Sequence, residues 1–96
     1  MAINLIDYDV LAKGQQVYAT KAQDLNQILS DLVKMNADLS NGWQNETARA
    51  FVERFDTDHK KAMNSLVAAL EEISTYIRDY ASSHQEDDSN SASRIR

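Results

Sequence analysis

Ser40-Asn41-Gly42-Trp43-Gln44-Asn45 decides the fold, because it is the short polar break between two long runs of helical periodicity. It holds one of only two glycines and the only tryptophan in a 96-residue chain without proline. Upstream, Leu11, Tyr18, Leu25, Leu32 and Leu39 recur every seven residues, accompanied by Ala22, Ile28, Leu29 and Met35. Downstream, Val52, His59, Leu66, Ile73 and Tyr80 do the same. Two flanking lines run beside them: Phe51, Phe55, Ala62, Ala69 and Tyr76 on one side, and Met63, Leu70 and Ile77 on the other. Seven-residue apolar spacing is the signature of helices packed lengthwise against other helices. The segment therefore reads as the turn of an antiparallel two-helix hairpin.

The expected boundaries are a helix over about 8–40, a turn at 41–45, a second helix over about 46–84, and a flexible tail at 85–96. Asp7 or Asp9 caps the first helix, since a carboxylate there accepts its orphan N–H groups. Gly42 is placed to stop that helix in the left-handed conformation, and Asn45 is a good N-cap for the second. The tail is polar and serine-rich, a composition that buries too little surface to offset its ordering entropy. The apolar stripe of the second helix is wider than one neighbouring helix needs. Dimerisation into a four-helix bundle is the economical way to cover it, with Leu25, Leu32, Phe51, Phe55, Leu66, Leu70 and Ile73 as hairpin and dimer packing residues.

Composition narrows the function. The net charge is −5 and there is no dense basic run, which argues against nucleic acid and anionic membrane surfaces as partners. With no cysteine, the chain has neither a disulfide framework nor a thiolate metal site. Its N-terminus, Met1 to Asp9, has no basic region and no long apolar core, so no cleaved secretory signal is expected, and no apolar run is long enough for stable membrane insertion. Asp56, Asp58 and His59 form the only cluster suggestive of a metal, yet Asp58 points away from the face shared by Asp56 and His59. His59 reads more simply as a polar interruption of the seam. Glu71 and Glu72 are adjacent and diverge by about 100° on a helix, which unsuits them as a carboxylate pair. No nucleophile–base arrangement or phosphate-cradling loop can be assembled, so neither catalysis nor a cofactor is expected.

The turn and the start of the second helix resemble the WXG100 (ESAT-6-like) family of type VII secretion proteins. That pattern places Trp first, Gly two residues later, and bulky aromatics eight and twelve residues after the Trp. Here these positions are Trp43, Asn45, Phe51 and Phe55. Asn45 replaces the motif glycine, and Thr47 stands where a small residue is common four after the Trp. The resemblance extends over roughly residues 5 to 84. It implies a folded helical dimer, either a homodimer or a heterodimer with another WXG100-like chain, secreted without a cleaved signal peptide and recognised by the type VII membrane ATPase. The turn motif, Gly42, Trp43 and Asn45, would combine with a C-terminal signal. A Tyr-X-X-X-Asp/Glu motif is not met; a looser family spacing falls on His84, Asp88, Ser91 and Ile95, with His84 where an apolar residue is wanted. Either that signal is degenerate or the partner subunit carries it. The resemblance also implies an alternative: a cytoplasmic targeting chaperone holding the N-terminal helices of a larger toxin-like substrate.

Overall fold

The computed structural model describes the backbone of residues 5–95 and the side chains of residues 5–85. Asp7 opens helix α1, Tyr8–Gly42: its carboxylate accepts the N–H groups of Asp9 and Val10 at 3.1 and 3.2 Å. Of the two carboxylates that could cap this helix, Asp7 does so. The chain reverses at Trp43–Asn45 and returns through α2, Glu46–Arg54, a π-turn, Phe55–His59, and α3, Lys60–Ile95. The expected all-α hairpin is what forms, with long-range contacts dominated by α1 against α3. It measures 75 × 22 × 19 Å.

Three local features differ from the sequence expectation. Gly42 is the last helical residue of α1 and no described glycine has a positive φ, so it is not a left-handed cap. Trp43 ends the helix instead, extended at φ −137° and ψ 94°, while its N–H still reaches the Leu39 carbonyl at 2.7 Å. At the other end the helix continues past residue 84 to Ile95. The tail contains neither glycine nor proline, and extending an existing helix needs only one residue ordered per added hydrogen bond.

The third difference is the phase of the seam. From Ala48 through Val52 to Phe55 the inward positions step by four and three. They resume at Met63, eight residues after Phe55 where a regular heptad has seven, and continue through Val67, Leu70, Ser74, Ile77 and Ala81. The extra residue is absorbed by the π-turn, where the Lys60 N–H bonds to the Phe55 carbonyl, one residue further back than in an α-helix. The Thr57 hydroxyl donates to the Glu53 carbonyl at 2.9 Å, a side-chain bond of the kind that bends helices. The expected line Leu66, Ile73 and Tyr80 is thereby rotated out, and Leu66 is 51% exposed.

The seam facing α1 is narrow and partly polar. Leu29, Ala22, Phe55 and Val67 are buried, while Leu25 and Leu70 are half-buried. The buried Ser74 hydroxyl donates to the Gln15 backbone carbonyl at 2.9 Å, a direct bond between the helices. One turn further on, a Cβ on Gly14 would lie 3.9 Å from the Ile77 Cδ1 atom. The small side chains at Gly14, Ser74 and Ala81 suit close approach of the two backbones. Asn36 occupies an α1 seam position at 9% exposure with its Nδ2 lacking a hydrogen-bond partner.

An unpaired buried amide is a net cost, and leucine of similar size lacks it. Asn36→Leu is therefore expected to raise the free energy of unfolding by about 1 kcal/mol, measured by urea titration. A decrease would mean that the amide has a stabilising role.

Candidate functional site

Two surfaces stand out, the hairpin turn and one broad face of the hairpin. At the turn, Trp43 stacks on Phe51 with ring centroids 5.9 Å apart and planes tilted by 46°. Trp43 remains 37% exposed despite this contact. Pairs of this kind contribute about 0.5–1.5 kcal/mol beyond burial of their area. The Gln44 side-chain amide donates to the Asn41 carbonyl at 3.1 Å, satisfying one of the acceptors left at the end of α1.

Asn45 explains how the turn closes without the motif glycine. Its backbone is extended, φ −155° and ψ −179°, a conformation open to any residue. Its side-chain oxygen accepts the Ala48 N–H at 2.8 Å, and Ala48 is buried against the turn. Asn45 is thus the expected N-cap and not a left-handed substitute for glycine. Thr47 is exposed, which fits its tolerance of a residue larger than the usual small one. A cleft of about 690 Å³ opens beside the turn, lined by Trp43, Asn45, Arg49, Val52, Asp56 and Thr57 among others.

The broad face comes from residues that stand immediately before seam positions. On α1 these are Val10, Ile28 and Met35, preceding Leu11, Leu29 and Asn36; on α3 they are Leu66, Ile73, Tyr76 and Tyr80, preceding Val67, Ser74, Ile77 and Ala81. In an antiparallel pair of right-handed helices, one residue before the seam turns to the same side on both helices. The shared hollow formed by Val10, Leu11 and Tyr80 shows the two stripes meeting there. Leu32 is exposed on α1 between Ile28 and Met35. Of the expected packing residues, then, Phe55, Leu25 and Leu70 serve the hairpin interior. Leu32, Phe51, Leu66 and Ile73 are exposed in the single hairpin.

Of the tail residues singled out by spacing, His84 is half-buried with its ring 4.1 Å from that of Tyr80. The Asp88, Ser91 and Ile95 side chains lie outside the described residues. His59 is exposed within the π-turn, and Asp56 and Asp58 are exposed beside it. Among the described residues no group of three or more His, Cys, Asp or Glu side chains could hold a metal. No described helix is long and apolar enough to cross a membrane. Spacing alone missed Ala48, Val67 and Ser74, because the line through Val67 and Ser74 has the same four–three period as its apolar neighbour through Leu66 and Ile73.

With this geometry in place, the sequence matches the family description "WXG100: Proteins of 100 residues with WXG" over residues 5–89. The chain belongs to the WXG100 family. Family membership ties this WXG100 protein to type VII secretion, whose small secreted helical members generally work as dimers. Comparison with the curated proteins found no match, and neither did comparison with the solved structures.

Because Asn45 acts through its cap, Asn45→Ala should lower stability by about 1 kcal/mol, whereas Asn45→Gly, the family residue, should cost only a few tenths. Urea titration of the two variants reads the difference. Equal losses would assign Asn45 a role other than capping.

Proposed function

We propose that this WXG100 protein is a secreted interaction protein, which leaves the cell through a type VII system as a folded dimer of two copies. It acts by presenting surface and not by catalysing a reaction. The observation that carries this reading is the uncovered apolar face. Leu66 is 51%, Tyr76 72%, Met35 51% and Ile28 49% exposed on it, far more than large apolar side chains of a completed core. Among the described residues no large side chain is fully buried, so the hairpin alone has an incomplete core.

A second copy carrying the same face is the occupant we favour, because the exposed residues along it, Val10, Ile28 and Met35 on α1 and Leu66, Ile73, Tyr76 and Tyr80 on α3, are apolar on both helices and so complementary to themselves. Antiparallel docking places the Trp43 turn of one copy near the C-terminal segment of the other. On this reading the secretion ATPase recognises the two together, with residues 85–96 as the tail half of the signal. A partner chain of different sequence, including the helices of a larger toxin-like substrate, is the competing occupant.

Light scattering on the purified chain should give twice the 10.8 kDa monomer mass, and Leu66→Glu with Ile73→Glu should return it to the monomer. A stable wild-type monomer would contradict the homodimer and direct the search to a different chain. In the native cell, Trp43→Ala should remain dimeric yet be lost from the culture supernatant; undiminished export would remove Trp43 from the signal.

A further inference from the structure

We infer that the π-turn Phe55–His59 is a register device that assembles the dimerisation face, by setting which apolar line of the second helix meets α1 and which meets a second copy. The inference rests on the reading that a second copy covers the broad face. Two adjacent apolar lines run along α3: Ala62, Leu66, Ala69, Ile73, Tyr76 and Tyr80, and, one residue later, Met63, Val67, Leu70, Ser74, Ile77 and Ala81. The heptad set by Val52 would carry the first line into the seam. The added residue in the π-turn carries the second there instead, as the burial of Val67 and Ser74 and the Ser74–Gln15 bond record.

The consequence for the outer face follows from helix geometry. Without the added residue, the positions one before the seam would be Lys61, Ser65, Ala68, Glu72, Thr75 and Asp79. That largely polar row would then lie beside Ile28, Leu32 and Met35 of α1. The surplus apolar line of α3 would turn to the opposite broad face, one residue after the seam. With the π-turn in place, both helices present their surplus apolar residues on one side. Single π-turns inside α-helices are often found at functional sites. Here the function is to align the two halves of an interface.

Deletion of Thr57 tests this. The chain has no native cysteine, so introduced pairs report register without interference. In the otherwise wild-type chain, Gln15→Cys with Ser74→Cys should close an intrachain disulfide more readily than Gln15→Cys with Ile73→Cys. In the deletion variant that preference should reverse, and the dimer dissociation constant should weaken at least tenfold while far-UV circular dichroism stays helical. Inserting an alanine after Lys61 in the deletion variant should restore the original preference and the dimer. An unchanged cross-linking preference, an undiminished dimer, or loss of helix on deletion would each overturn the inference. If the wild-type chain is a monomer, the dimer reading fails, but the reversal of cross-linking still tests the register.

Discussion

A helix running beside a straight neighbour can hold one line of side chains against it, and everything beyond that line must find another partner or face water. In this chain the line is marked by the bond from the Ser74 hydroxyl to the Gln15 backbone carbonyl. Met63, Val67, Leu70 and Ile77 share the contact with the small Ser74 and Ala81, and the neighbouring apolar line of α3 is left outside. Leu66, Ile73 and Tyr80 could have filled a hairpin core, but the π-turn turns them away from it. The hairpin therefore leaves an apolar face uncovered, and no large side chain among the described residues is fully buried.

The turn answers a different constraint. It must end one helix and begin another within three residues. Trp43 ends α1 in an extended conformation and stacks on Phe51 across the turn. Asn45 starts α2 with a side-chain bond to Ala48. Since neither residue needs a positive φ, glycine at the motif position is a family habit that this backbone does not require.

Much of this was legible in the amino-acid sequence, for identifiable reasons. The hairpin follows from seven-residue periodicity on both sides of a polar break, and the Asp7 and Asn45 caps follow from their chemistry and position. The Trp43, Phe51 and Phe55 spacing pointed to the family. The phase of the second helix was not legible, because adjacent lines through Leu66 and Val67 are both largely apolar and periodicity cannot rank them. Ser74 and Asn36 are polar and fall outside the seven-residue apolar lines, although each lies within the seam. Gly42 was misread because glycine after a helix usually stops it in the left-handed conformation, whereas here Trp43 takes over that task. The helix beyond residue 84 was missed for a similar reason: its composition suggested a tail, but nothing in it stops a helix already formed.

The most direct test is nuclear Overhauser spectroscopy on a dimer made from one isotopically labelled and one unlabelled copy. The account predicts intrachain effects between the Ile77 δ1 methyl and the Gly14 α protons, and effects between copies from the Leu66 and Ile73 methyls. Intrachain effects from Leu66 and Ile73 to α1, with Val67 and Ile77 facing the second copy, would contradict it.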